Sequence, residues 1–193
     1  MPHISIIPAM ETSDPANNGA VTYIKNYLQQ HHLASTEVLD FEHLNFGRQF
    51  GQPMAKPSRE VKKLVRKIRS SEGILIVTPE FNGEYPNNLK NMIDFLYEEW
   101  NHKPVAISTV SDDFTNHSQI IKSLQFSLWK VNSWTLPVSF QVPDQIASRS
   151  TDLSIQSSVS HRMQPEQEAE FQQVFNNYCN KYIQLCTRVQ YAV

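Results

Sequence analysis

Short runs of apolar residues alternate along this chain with longer segments in which apolar residues recur at helical spacing. The short runs predict five strands, at His3–Ile7, Glu37–Asp40, Gly73–Thr78, Pro104–Thr109 and Thr135–Gln141. A strand followed by a helical segment, several times over, is typical of a parallel sheet covered by helices. We therefore predict an α/β fold with a doubly wound parallel sheet, in which ligands bind beyond the carboxyl ends of the strands.

Five helices are predicted between and after these strands. They are expected at about Asn18–His31, with Asn17 or Asn18 as N-cap, after Pro57–Ser58, from Pro86 to Trp100, at Ser118–Val131 and from Pro165 to about Arg188. The third carries an apolar stripe wide enough to bury more than one side. Polar stretches at 45–57 and 142–164 separate no self-sufficient cores, so we predict one domain over residues 1–193, with loops in these places.

Composition narrows the classes of partner. A formal charge of −2 over 193 residues gives no reason to expect nucleic acid or anionic lipid. The basic cluster at 56–69 alternates with apolar residues at helical spacing, which favours a solvated helix face. No run is apolar and long enough to cross a membrane, and the start of the chain leads straight into a strand, so we expect a cytoplasmic protein. Cys179 and Cys186 are about 10 Å apart along one predicted helix and are expected to be reduced core thiols.

The chemistry is expected after the third strand. Gly73–Thr78 is almost wholly apolar, as in a central strand covered on both faces, and it stops at the sequence Pro79-Glu80-Phe81-Asn82-Gly83-Glu84-Tyr85-Pro86. Two prolines and an Asn-Gly pair give this loop a fixed shape with main-chain N–H groups pointing outward from a strand end. It suits a flat, hydrogen-bonding ring. The structural alternative is a rigid turn that only ends the strand and caps the next helix.

This segment resembles a known family. The run Thr78-Pro79-Glu80-Phe81-Asn82-Gly83, then Pro86, Leu89-Lys90-Asn91 and Asp94, is similar to the signature of the NAD(P)H-dependent FMN reductases, which include related azo and quinone reductases. The resemblance implies a flavodoxin-like three-layer fold with a five-stranded parallel sheet in the order 2-1-3-4-5. It also implies FMN as bound cofactor, held by Pro79, Glu80, Phe81, Asn82 and Gly83 largely through main-chain groups. Phe81 stands where the family usually has Tyr, and it keeps the ring face.

The implied activity depends on the cofactor more than on particular side chains. Reduced nicotinamide, NADPH or NADH, delivers hydride to the flavin, which then reduces a small-molecule acceptor such as free FMN, a quinone or an azo compound. No catalytic side chain and no metal are expected, and the histidines show no metal-ligand spacing with Cys, Asp or Glu. The resemblance and the broad stripe of the Pro86–Trp100 helix together predict a homodimer or homotetramer that uses this helix as a subunit contact.

Two further loops depart from the family pattern. Where the family grips the phosphate with hydroxyls, a guanidinium and a helix N-terminus, residues 8–19 contain no Arg and contribute Glu11 and Asp14. Their remaining donors, and so the expected phosphate contacts, are Thr12, Ser13, Asn17 and Asn18.

The second departure is the loop after the fourth strand. The family often has a Gly-rich turn there, and this chain has Ser111-Asp112-Asp113, of which Ser111 is the expected contact. The acids either lower the potential of a bound flavin or simply cap a helix. The rival function is therefore a binding or regulatory protein that kept the scaffold and lost flavin binding.

Overall fold

The computed structural model describes residues 1–9, 15–44, 46, 57–79, 84–111, 117–143, 146–147 and 165–190. Within these ranges the strands are β1 His3–Pro8, β2 Ser35–Val38, β3 Gly73–Pro79, β4 Pro104–Val110, β5 Trp134–Thr135 and β6 Phe140–Val142. The helices are α1 Pro15–Gln30, α2 Arg59–Ser70, α3 Asn87–Phe95, α4 His117–Lys130 and α5 Pro165–Gln190.

The strands form one parallel sheet in the order β2-β1-β3-β4-β5, and β6 pairs with β4 beyond β5. This confirms the predicted strand order. The chain crosses from β2 back over β1 to β3, so β1 and β3 are the neighbours at which the direction of winding reverses. In folds of this class that reversal opens a crevice at the carboxyl ends of the strands.

Two apolar cores cover the sheet, one on each face. Side chains alternate along β3, so Ile74 and Ile76 join the core under α2, α3 and α4, while Leu75 and Val77 join the core under α1 and α5. The result is the predicted three-layer arrangement. Burial of both faces explains why the strands are almost continuously apolar.

The predicted fifth strand is the clearest correction. The run from Thr135 to Gln141 is not continuous, because Pro137 interrupts it and has no N–H to donate to the ladder. Leu136 still donates its N–H to the Val105 carbonyl at 2.8 Å, and pairing with β4 resumes at Phe140. One predicted strand is therefore two short strands along the same edge.

Several helix and strand ends also differ from the prediction. Helix α1 begins at Pro15, so Asn17 and Asn18 lie in its first turn and neither is the N-cap. Proline is favoured there because its missing N–H would have no helical partner. Strand β2 lies two residues earlier than predicted, although the Leu39 N–H continues its ladder to the Ile6 carbonyl at 2.8 Å.

Helix α3 is shorter than the predicted Pro86–Trp100 segment. It begins at Asn87, with Pro86 as its N-cap, and ends at Phe95, after which the chain runs through turns to residue 102. Trp100 is fully buried, but Tyr97 is 54% exposed and does not belong to the buried stripe. By contrast, Ser58 caps α2 as the sequence suggests, its Oγ accepting from the Val61 N–H at 3.2 Å.

Candidate functional site

Three strand ends lie side by side at the carboxyl edge of the sheet. Pro8 of β1 is opposite Val77 of β3, and Pro79 of β3 is opposite Val110 of β4. The ladder extends one residue past β1, where the Ala9 N–H donates to the Val77 carbonyl at 2.8 Å. Three strands from separate parts of the chain therefore end side by side.

Thr78 and Pro79 mark the point where buried strand gives way to accessible chain. Thr78 is completely buried and Pro79 is partly exposed, and the Thr78 hydroxyl donates to the Pro79 carbonyl at 3.1 Å. This contact orients the last carbonyl of β3. The segment 79–86, which is expected to hold the ring and is called the ring loop below, thus starts from a fixed point at the end of β3.

Ser111 is held from both sides by the neighbouring strand. Its N–H donates to the Val142 carbonyl at 3.3 Å, and its carbonyl accepts from the Gln141 Nε2 at 2.6 Å. Its side chain is partly exposed. The main chain of Ser111 is thereby fixed beside the end of β3.

Helix α1 places its N-terminus at the same edge, because it follows β1 and runs back along the sheet. Gly19, in its second turn, packs directly against the backbone of the turn after β6: a Cβ on Gly19 would lie 1.6 Å from the Ala147 carbonyl oxygen. Only glycine permits this approach. The first turn of α1, Pro15–Asn18, contains no acidic residue.

Of the predicted cofactor contacts, the structure describes the side chains of Pro79, Ser111 and Asn18, and it places Asn17 in the backbone of α1. All four lie at or near the carboxyl edge. The predicted contacts Thr12, Ser13, Glu80, Phe81, Asn82 and Gly83, and the acids Glu11, Asp14, Asp112 and Asp113, lie outside the described residues.

Two contacts that sequence patterns do not reveal secure the far end of the ring loop. The Tyr85 hydroxyl lies 2.7 Å from the Ser127 Oγ, and the Glu84 carboxylate accepts from the Ser123 Oγ at 3.0 Å. Burial raises the pKa of Tyr85, so its hydroxyl stays protonated at neutral pH. The partners are 42 and 39 residues apart in the chain, and no local pattern predicts contacts over such separations.

The described part of this edge fits a flavin mononucleotide. Pro79 and Ser111 lie beside each other, are partly exposed and carry no charge, which suits a neutral ring. The α1 N-terminus, with no acid in its first turn, suits a phosphate. When bound, the flavin supplies the capacity to accept and to pass on a hydride.

Among the described residues, no three His, Cys, Asp or Glu side chains come together in a way that could hold a metal ion. The described helices also include none with the length and apolarity needed to cross a bilayer. Both cysteines are free and buried on α5, as expected.

Comparison with known proteins agrees with the loop motif. The NAD(P)H-dependent FMN reductase C4B3.06c of Schizosaccharomyces pombe is 54% identical over 41 residues, which make up 21% of this chain and 20% of that protein. The NADPH azoreductase of Bacillus sp. strain OY1-2 is 30% identical over 88 residues, 45% of this chain and 49% of the azoreductase. The chain thus matches between a fifth and a half of the length of these curated relatives.

Among solved structures, the flavoenzyme NAD(P)H:(acceptor) oxidoreductase FerB of Paracoccus denitrificans has a TM-score of 0.68 at 16% identity, with 97% of this chain and 98% of FerB covered. At that identity the likeness establishes the fold. A flavodoxin from the domain Archaea, covering 98% of this chain with a TM-score of 0.55, confirms the flavodoxin-like class.

The family model described as NADPH-dependent FMN reductase matches residues 3–145, which is most of the chain and includes all six strands. The descriptions of the family and of the Schizosaccharomyces pombe relative name FMN and NAD(P)H, which agrees with the predicted oxidoreductase class and cofactors. Both the resemblance carried by the Thr78–Asp94 motif and the predicted strand order hold. This chain belongs to the NADPH-dependent FMN reductase family.

Proposed function

We propose that this protein is an FMN-dependent NAD(P)H oxidoreductase, which passes hydride from reduced nicotinamide through bound FMN to a small-molecule acceptor. The observation that carries the proposal is the position of the family motif. It begins at the carboxyl end of β3, directly beside the ends of β1 and β4 and at the point where the winding of the sheet reverses.

The residues of this edge bind and orient; none is required to transfer a proton. Pro79 and the sequence after it hold the ring largely through main-chain groups, and the backbone of Ser111 is fixed beside them by Val142 and Gln141. A rigid first contact layer is what positions a cofactor precisely. Asn17 and Asn18, with Thr12 and Ser13, are the proposed phosphate contacts.

The proposed acceptors are free flavin, quinones and azo compounds, all of which accept two electrons from a reduced flavin. Support comes from the loop motif and from the azoreductase relative. The test is NADH and NADPH oxidation by FMN-loaded protein in the absence of oxygen, with each acceptor added separately. Acceptor-dependent oxidation that disappears in the FMN-free protein is expected. An FMN-loaded protein that oxidises neither nicotinamide with any acceptor would contradict the proposal.

We also propose that the protein works in the cytoplasm. Its two cysteines are free and buried, as in proteins that fold where thiols stay reduced. Detection of the natural protein in the soluble cytoplasmic fraction, with cytoplasmic and membrane marker proteins as controls, tests the location. Recovery with the membrane or in a secreted fraction would contradict it.

Of the predicted homodimer and homotetramer, we propose the homodimer, and we propose a contact beside the predicted helix stripe. The stripe Leu89, Met92, Ile93 and Leu96 is buried in the protein's own core, so the predicted segment offers little apolar surface. Exposed aromatic area lies instead around Tyr97 and on α4. Tyr97, Phe126 and Trp129 are 54%, 55% and 57% exposed. We name these three residues the α3–α4 aromatic surface.

A groove of about 520 Å³ lies at this surface and is lined by Lys90, Asp94, Tyr97, Phe126, Ser127, Lys130 and Val131. Exposed aromatic residues beside a groove are typical of contact sites. The groove carries both signs of charge, and Lys130 lies 4.7 Å from the centre of the Phe126 ring. Lys90 and Asp94 already pair with each other at 2.6 Å, so a two-fold contact that places this patch against itself would bury no unpaired Lys90 or Asp94 charge.

Light scattering on a sizing column tests this assembly. The wild-type protein is expected to elute as a dimer, and the double variant Phe126→Glu/Trp129→Glu as a folded monomer. Val174→Glu is the matched control, because Val174 is 53% exposed on α5, on the opposite face of the sheet. A monomeric wild-type protein, or a dimer unaffected by the double variant, would remove the proposal.

A further inference from the structure

The four residues 80–83 lie in sequence between two points that the structure fixes. At one end, Pro79 is part of β3 and is in register with Val110 of β4. At the other end, Glu84 and Tyr85 contact α4 before α3 begins at Asn87. Freeing either end would lengthen the segment between the two fixed points and so raise its conformational entropy.

The Tyr85 contact is the stronger of the two ties to α4. Its side chain is only 8% exposed and packs in the core under α2, α3 and α4, and its hydroxyl meets the Ser127 Oγ at 2.7 Å. The Glu84–Ser123 contact lies at the surface, where a hydrogen bond contributes less. Ser123 and Ser127 are one turn apart on α4, so a single face of this helix holds the end of the loop.

We infer that Tyr85 and Ser127 are positioning residues for the flavin ring: their hydrogen bond fixes the end of the ring loop and prepares it to bind FMN. The inference rests on the proposed function. A positioning role can be distinguished from a packing role by experiment. A hydroxyl that only completes the core affects stability, whereas one that prepares the loop also affects FMN affinity, because an ordered loop pays less entropy on binding.

Tyr85→Phe and Ser127→Ala each remove one hydroxyl and keep the rest of the side chain. We expect each to weaken FMN binding about fivefold, the factor associated with one ordinary hydrogen bond. The double variant is expected to be no weaker than either single variant, since both remove the same contact. Flavin fluorescence titration measures the FMN affinity of the wild type, the two single variants and the double variant.

Tyr23→Phe provides a matched control. The Tyr23 hydroxyl also accepts one side-chain hydrogen bond, from the Gln172 Nε2 at 2.7 Å, but that contact joins α1 to α5 on the other face of the sheet. This variant is expected to bind FMN as the wild type does. Urea unfolding of the FMN-free proteins shows whether the two Tyr→Phe changes affect stability to a similar degree.

A second measurement does not depend on FMN. In the FMN-free protein, hydrogen exchange of the peptide containing residues 79–89 is expected to accelerate in Tyr85→Phe and not in Tyr23→Phe. FMN affinity unchanged within twofold in Tyr85→Phe, a loss that Ser127→Ala does not share, or unchanged exchange would each overturn the inference. A wild-type protein that binds no FMN while the exchange result holds would overturn the proposed function and leave the contact as a purely structural tie.

Discussion

The residues at the carboxyl edge offer neutral hydrogen-bonding groups to a ligand. Pro79 and Ser111 are uncharged and partly exposed there, and Asn17 and Asn18 lie in the first turn of α1. The sequence from 8 to 19 contains no Lys or Arg and two acids. A phosphate dianion gains most from N–H groups and cations. At the scale of residues, the acids are therefore expected to limit FMN affinity.

The variant Glu11→Gln/Asp14→Asn is accordingly expected to bind FMN more tightly than the wild type, by at least about tenfold at low salt. Like charges about 4 Å apart repel by about 4 kcal/mol at an effective dielectric of about 20, so even a heavily screened part of that repulsion gives such a factor. Flavin fluorescence titration at low and high salt measures the gain, which should shrink as salt is added.

Riboflavin, which lacks the phosphate, provides the control for this variant, and its affinity should not change. Glu98→Gln is the control for loss of a carboxylate elsewhere, because Glu98 is exposed in the turns after α3. Equal gains for FMN and riboflavin, or no gain for FMN, would show that the two acids do not act on the phosphate.

At the scale of elements, the periodicity of apolar residues predicted the strands and helices whose positions depend on burial. It did not predict features that depend on contacts between distant residues. The central strands β3 and β4 are buried on both faces, and their apolar runs located them within one residue. Helix α2 was located by its apolar stripe, and Ser58 caps it. Pro137 was visible in the sequence, but its effect on the ladder outweighed the apolar pattern around it.

The candidate site also combines features that the sequence predicted with features that it did not. The motif after Thr78 located the ring loop, because it combines residue types at fixed spacing. The tie from Tyr85 to Ser127 was not predictable, since it depends on how α4 packs beside α3. The exposure of Phe126 and Trp129 on α4 follows from their position outside the buried stripe of that helix, but the pattern does not show what covers them.

Gly19→Ala tests the packing of α1 at the site edge. A Gly→Ala change inside a helix ordinarily stabilises it by about 1 kcal/mol. Here the new Cβ would lie 1.6 Å from the Ala147 carbonyl oxygen, so backbone has to move, and we expect a loss of about 1–3 kcal/mol instead. Urea unfolding of the FMN-free protein measures the sign of the change in the free energy of unfolding.

Asn91→Ala serves as the comparison, because Asn91 is exposed inside α3 and its replacement creates no clash. That variant should be as stable as the wild type or slightly more stable. If Gly19→Ala also proved as stable as the wild type, the close contact between α1 and the turn after β6 would be wrong.

At the scale of the whole molecule, the two cores differ in character. The core under α1 and α5 contains several ionisable groups that are neutral at pH 7. Burial raises the pKa values of Tyr23, Cys179 and Cys186 to about 12, from ordinary values of 10.0 for Tyr and 9.0 for Cys. It also raises those of Tyr178 and Tyr182. Ionisation of these groups would therefore destabilise this face of the sheet.

Stability is therefore expected to fall at alkaline pH. Each of these groups has a folded-state pKa above its unfolded value, so from about pH 9 upward the unfolded chain loses protons that the folded chain retains. The folded state binds more protons there, which makes the free energy of unfolding decrease as the pH rises. Below the unfolded pKa values these groups add no pH dependence.

Urea midpoints measured between about pH 8 and pH 11 test this expectation, and Cys179→Ala should lessen the decline because it removes one of the titrating groups. A midpoint that stayed constant over the range would mean that these side chains are less buried than the structure shows.

The proposed activity depends most directly on one property of the protein, the binding and reduction of FMN. Titration of FMN-free protein with FMN, followed by absorbance and flavin fluorescence and then by addition of NADH or NADPH without oxygen, measures both. We predict one FMN per chain, and bleaching of the bound flavin by at least one of the two nicotinamides. A protein that stays colourless in excess FMN would contradict the account and would identify the chain as a flavodoxin-like scaffold without flavin chemistry.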